Sequence, residues 1–177
     1  QYTNMTKLPD SLWRLRKRKV IEVIAKNGSY FAIITRNSDT ASRTITSEDS
    51  TFHVVDDNSG TLLSSKTFDP GTTILYRGNV EPYLDGFLFT RYDDLISETT
   101  IHYWEPVGKA FTTLLTISAA ADACVVEGET FAVLRRTGNN SNIRITTHDS
   151  AGTQIGNQTY TAAPANVSTT TNLRATC

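Results

Sequence analysis

The residues with the widest chemical reach in this chain are three histidines, His53, His102 and His148, and the carboxylates Asp93, Asp94 and Glu105. Imidazole is a common metal ligand, and histidines on corresponding strands can build a metal centre. Their distances to the next turn glycine differ, however: seven residues to Gly60, six to Gly108 and four to Gly152. Strand side chains alternate faces, so this spacing predicts separate positions and no shared metal. Asp56-Asp57-Asn58-Ser59-Gly60 lacks the spaced acids and distal glutamate of a calcium loop and reads as a turn. Paired carboxylates suit glycoside hydrolysis, and Arg36, Arg91 and Arg136 recur in step, as a clamp on an acidic substrate requires. Recurrence at one repeat position is also what a structural role predicts. The three arginines are therefore expected in similar environments without a common ligand. No nucleophile elbow, phosphate loop or cysteine–histidine pairing stands out. The reading is of a chain that is not an enzyme, with no catalytic residue, no metal and no cofactor.

Binding chemistry has more candidates. Trp13, Tyr92, Tyr103 and Trp104 have aromatic faces suited to stacking on a sugar, against the alternative of packing between repeats. Asn4, Asn27, Asn139, Asn157 and Asn166 each begin an Asn-x-Ser/Thr acceptor for N-glycosylation. Cys124 and Cys177 are the only cysteines. They form a mutual disulfide, or remain two buried thiols, or leave one thiol whose partner lies beyond this sequence. Arg14-Leu-Arg-Lys-Arg-Lys19 is read as a cationic strand edge, in preference to a polyanion or processing site.

The elements that must position these residues come in three copies. Gly28-Ser-Tyr-Phe31-Ala-Ile-Ile-Thr-Arg36, Asp85-Gly86-Phe87-Leu-Phe-Thr-Arg91 and Gly128-Glu-Thr-Phe131-Ala-Val-Leu-Arg-Arg136 are each a turn glycine, an apolar strand and an arginine. Asp57-Asn-Ser-Gly60, Glu105-Pro-Val-Gly108 and Asp149-Ser-Ala-Gly152 follow, each an acid, two residues and a glycine between strand-like runs. An acid opening a tight turn can bond the backbone ahead of it, and glycine takes positive φ at low cost. The steps from Gly60 to Gly108 and from Gly108 to Gly152 are 48 and 44 residues, a period of stacked β units. The repeats run over about 20–68, 74–117 and 121–160, with single strands expected at 1–8 and 172–177, all in one repeat domain spanning 1–177.

The formal net charge of −1 implies no nucleic acid or other polyanion as partner. No stretch of about 18 apolar residues is present, so no membrane-spanning helix is expected. With Asp85-Gly86-Phe87, Gly128-Glu-Thr-Phe131-Ala-Val133 and Ile145-Thr-Thr-His-Asp149-Ser-Ala-Gly152-Thr-Gln-Ile155-Gly156 in view, the chain resembles the tandem β-propeller-type repeats of large secreted and cell-surface proteins. The likeness covers most of 20–177 and departs at Glu105-Pro106, where the usual turn aspartate is missing. It implies an all-β fold of four-stranded antiparallel blades in an extracellular or cell-surface setting, and carries no catalytic residues. The alternative fold is a β-trefoil, distinguished by strands that pair between repeats.

The functional expectation is a non-enzymatic extracellular structural or adhesive module, a building block of a surface assembly or filament. The alternative is a carbohydrate-binding, lectin-like module. Three blades alone would leave both end sheets with open apolar faces and unpaired edges. Completion from outside is therefore expected, by self-association or by other segments of a longer polypeptide.

Overall fold

The computed structural model describes residues 19–37, 50–68, 77–93, 96–137 and 142–161. They form twelve strands: β1 (Lys19–Asn27), β2 (Tyr30–Asn37), β3 (Ser50–Asp56), β4 (Leu62–Phe68), β5 (Arg77–Tyr83), β6 (Gly86–Asp93), β7 (Glu98–Glu105), β8 (Ala110–Ile117), β9 (Ala121–Val125), β10 (Phe131–Thr137), β11 (Asn142–His148) and β12 (Gln154–Thr161). Every pairing is antiparallel and lies within one repeat, giving sheets β1-β2-β3-β4, β5-β6-β7-β8 and β9-β10-β11-β12. That pairing is of blades, not of a trefoil. The expected single strands at 1–8 and 172–177 lie outside the described residues.

The sequence produces each blade by simple means. Val, Ile, Thr and aromatic residues favour the pleated backbone. Short turns then close the hairpins, with Gly28, Gly60, Gly128 and Gly152 at positive φ. Glu105-Pro106 solves its turn differently, because Lys109 takes the positive φ there and Gly108 does not. The turn acid is also displaced by one in the first copy. Asp56, not Asp57, accepts from the Ser59 backbone N–H (2.7 Å), as Asp149 does from Ala151 (3.0 Å) and Thr153 (2.8 Å).

A bulge recurs on the fourth strand of every blade. Leu63, Leu114 and Ile155 are the extra residues, beside Val54/Val55, Ile101/His102 and Thr147/His148 respectively. Each bulge adds local twist.

The sheets stack face to face. Ala32, Ile34, Phe52 and Val54 of the first meet Val80, Phe87, Phe89 and Trp104 of the second. Tyr83, Leu88, Ile101 and Ile117 of the second meet Ala123, Phe131 and Val133 of the third. The middle blade is thus buried on both faces, which is why Phe87-Leu-Phe89 is a continuous apolar run and not an alternating one. The outward face of the first sheet is covered at its centre but open at its edges, where Ile24 and Leu62 are 48% and 37% exposed. Ile33, Val55 and His53 alternate with the residues facing the second sheet, yet are 2%, 1% and 5% exposed. At the far end, Leu134, Ile143 and Ile145 are only half-buried and Tyr160 is 53% exposed.

Candidate functional site

A group of polar side chains lies between the first two blades. β4 supplies Lys66, β6 supplies Arg91 and Asp93, β7 supplies His102 and β8 supplies Thr113. Register brings them together. Lys66 pairs with Phe52 on the face turned toward the second blade. His102 pairs with Phe89 and Thr113 on the opposing face. The His102 ring meets the edge of Phe52 at 6.0 Å. Its Nδ1 lies 3.0 Å from the Thr113 hydroxyl and 3.5 Å from Lys66 Nζ.

Burial, followed by the positive charges of Lys66 and Arg91, lowers the His102 pKa to about 3. The neutral Nδ1 can then accept from Thr113 and Lys66. Burial and the charge of Arg91 in turn lower Lys66 below an ordinary lysine. Arg91 Nη2 holds Asp93 Oδ2 at 2.8 Å, and both residues are buried. With His102 2% exposed, this is a polar seam inside a blade interface. Proton transfer to a substrate needs hydrogen-bond reach, and this imidazole presents no open approach.

The other histidines are held in the same manner. His53 Nε2 lies 3.0 Å from Thr35 Oγ1. His148 Nε2 lies 2.8 Å from Thr146 Oγ1, its Nδ1 lies 3.0 Å from the Gly152 carbonyl, and its ring stacks on Phe131. His53 and His102 do share a register, opposite Ile33 and Phe89, each two residues beyond the first phenylalanine of its second strand. His148 is two residues out of step, opposite Phe131. Counting to the turn glycine obscured this because the three turns differ in length. Among the described residues no group of three or more His, Cys, Asp or Glu is placed to hold a metal ion.

The arginines do not share one environment. Aligned on Phe31, Phe87 and Phe131, Arg36 and Arg136 come five residues on and Arg91 four. An odd step in place of an even one reverses the face. Arg91 is therefore buried between blades, while Arg136 lies on the opposite face and is half-exposed. The Arg36 side chain lies outside the described residues. The second and third copies differ by the one residue that decides this.

Of the aromatic candidates, Trp104 is fully buried. Its Nε1 donates to Ser64 Oγ at 2.9 Å, and it packs against Phe87 and the edge of Tyr30. It has no free face for a sugar, which corrects its candidacy. Tyr103, one residue away, faces the third blade and donates its hydroxyl to Asp85. Burial first, then that bond and the charges of Asp85 and Glu105, raise its pKa well above the ordinary phenol value. Tyr92 pairs with Thr99 at the other end of the same strands. These three do not converge, and Trp13 lies outside the described residues.

Asn27 is a candidate that sequence reading assigned differently. Its Nδ2, the atom a glycan would occupy, donates to the Leu84 carbonyl at 3.1 Å and the Gly86 carbonyl at 2.8 Å in the second blade. Asn157 is exposed, and its Oδ1 accepts from Arg144 at 2.9 Å. Asn4, Asn139 and Asn166 lie outside the described residues. Cys124 is buried and disulfide-bonded; Cys177 lies outside the described residues.

No protein-family model matches the chain, and no curated relative is found for it. Solved structures do match. The β-propeller domain of the trilobed protease from Pyrococcus furiosus superposes with a TM-score of 0.55 at 8% identity, over 82% of this chain and 44% of that one. The acylaminoacyl peptidase of Pyrococcus horikoshii gives 0.56 at 9%, over 82% and 26%. An acylaminoacyl peptidase in complex with Z-Gly-Gly-Phe-chloromethyl ketone gives 0.54 at 9%, over the same shares. The chain spans less than half the length of each of these structures. The sequence expectation of a structural or adhesive module is corrected by these neighbours, which are peptidases or a propeller of one, and they give the carbohydrate-binding alternative no support. At such low identity the likeness establishes architecture: the three sheets are blades of a β-propeller.

Proposed function

We propose that these blades belong to a peptidase-associated propeller, which shapes access to a catalytic domain without supplying the reacting groups. The observation that carries this reading is the superposition of 82% of the chain on a protease's β-propeller domain and on acylaminoacyl peptidases. The way the polar groups are used supports it. His53, His102 and His148 each bond a threonine inside the fold, and the Arg91–Asp93 pair is buried. Each of these bonds lies within a single blade and is turned into the fold, so the module acts through its shape and its rim. The nucleophile then belongs to another domain or subunit.

A peptidyl chloromethyl ketone tests the proposal. Native protein is isolated through antibodies raised against the 177-residue chain and treated with biotinylated Z-Gly-Gly-Phe-chloromethyl ketone. We expect a labelled species in the native material and no label on the isolated 177-residue chain. Absence of label from native material that a control peptidase readily takes up would overturn it. Labelling of the isolated chain would equally overturn it, by placing the reactive group in the blades.

A further inference from the structure

We infer that a disulfide between Cys124 and Cys177 fastens the carboxyl-terminal segment of this chain onto the outward face of the third blade. Three observations converge. The first is burial on that face. Ala123 packs toward the second blade, so Cys124, next along β9, points the other way with its cross-strand partner Ala132. Cys124 is 3% exposed and Ala132 8%. Leu134, Ile143 and Ile145, further out on this face, are only half-buried, and Tyr160 on the edge strand is open. Burial is therefore strongest at the inner edge and fades outward.

The second observation is that the described blades do not account for this cover. The core of the second blade meets the third through Ala123, Phe131 and Val133, on its other face. The third is chemical: Cys124 is disulfide-bonded, and the sequence holds one other cysteine, Cys177. A bonded cysteine at the covered edge names the segment that covers it.

The chain is long enough. β12 ends at Thr161 on the outer edge of the blade, and sixteen residues then lead to Cys177. Three strand spacings amount to about 14 Å, and sixteen residues reach up to about 53 Å. The arrangement would repeat an interface already present. β5 lies beside β1 and β9 beside β5 at the inner edge of successive sheets, and the segment ending in Cys177 would lie on β9 in the same way. The half-open remainder, Leu134, Ile143 and Ile145, is then the part of the face that this short segment does not reach.

Peptide mapping of the intact chain without reductant, combined with hydrogen exchange, tests this. We expect a peptide containing Cys124 joined to one containing Cys177 in a monomeric species. Reduction of the wild type, and separately the Cys177→Ser variant, should speed amide exchange across β9 and the start of β10 at least tenfold, while β1–β4 exchange as before. A free Cys124 thiol overturns the inference. So does a disulfide-linked dimer, which would make a second copy the occupant. A correct linkage whose loss leaves β9 exchange unchanged overturns the docking.

Discussion

The side-chain amide of Asn27 donates to the main-chain carbonyl of Gly86 at 2.8 Å, joining the first hairpin turn of one blade to that of the next. A second donation reaches Leu84, whose φ is +52°. One asparagine of the first blade therefore holds two carbonyls at the first turn of the second blade, where Leu84 sits in the left-handed region.

Loss of this clamp should be measurable. Asn27→Ala is expected to cost about 1–2 kcal/mol in urea unfolding, the ordinary range for a partly buried hydrogen-bonding group. Asn27→Asp should cost more, because a carboxylate facing two carbonyls replaces two donors with repulsion. In a glycosylating host Asn27 should remain unmodified in the folded protein. A glycan on Asn27 in protein of wild-type stability, or a cost below about 0.5 kcal/mol for both variants, would show that the clamp contributes nothing.

Gly86 and Gly28 offer a contrast between steric and conformational need. A Cβ at Gly86 would stand 1.9 Å from the Trp104 carbonyl oxygen, a main-chain atom that cannot rotate away. A Cβ at Gly28 meets nothing within 4 Å, but φ there is +54°. Gly86→Ala should therefore cost roughly 3 kcal/mol or more, through forced overpacking, and Gly28→Ala about 1–2 kcal/mol through backbone strain. Equal losses in thermal or chemical denaturation would refute the distinction.

Repetition made the architecture legible in the sequence. Phe31, Phe87 and Phe131 each follow a turn glycine and lead an apolar strand, and all three occupy corresponding places in the sheets. Side-chain direction was less legible, because it depends on parity. One residue fewer between Phe87 and Arg91 turned that arginine into the interface, and unequal turns hid the common register of His53 and His102. Lys66 gave no signal, since a lysine on an outer strand ordinarily reads as solvent-facing. Its role appears only when the next blade brings His102 against it. Asn27 carried a signal that pointed to a different chemistry, because the Asn-Gly of a hairpin turn and an acceptor sequon are the same letters.

Trp104 tests whether the seam between the first two blades is held by packing or by its hydrogen bond. Trp104→Phe keeps an aromatic ring but removes the Nε1 donation to Ser64 Oγ, and should cost about 1–2 kcal/mol beyond the lost ring volume. Ser64→Ala removes the same bond from the other side. It also removes the Ser64 donation to the Lys109 carbonyl at 2.6 Å. In a double-mutant cycle the two changes should be clearly non-additive. Full additivity would leave packing alone as the source of stability.

His102 gives the fold a predictable response to acid. Its folded pKa is lowered to about 3 by burial and by Lys66 and Arg91, against about 6.5 in the unfolded chain. Between these values the unfolded state binds one more proton than the folded state, so stability falls as pH falls. The contribution is fully present above pH 6.5 and drains away toward pH 3. Integrated from pH 7 to pH 5, the loss is about 2 kcal/mol. His102→Gln cannot take up that proton, yet its amide can still meet Thr113. Urea unfolding at pH 7, 6 and 5 should therefore show a smaller decline in the variant, by about 2 kcal/mol at pH 5. Both proteins share their other histidines and carboxylates, so those titrations cancel in the comparison. If the two curves run parallel from pH 7 to pH 5, His102 takes up its proton equally well in the folded state, and the closed polar seam between Lys66, Thr113 and His102 is wrong.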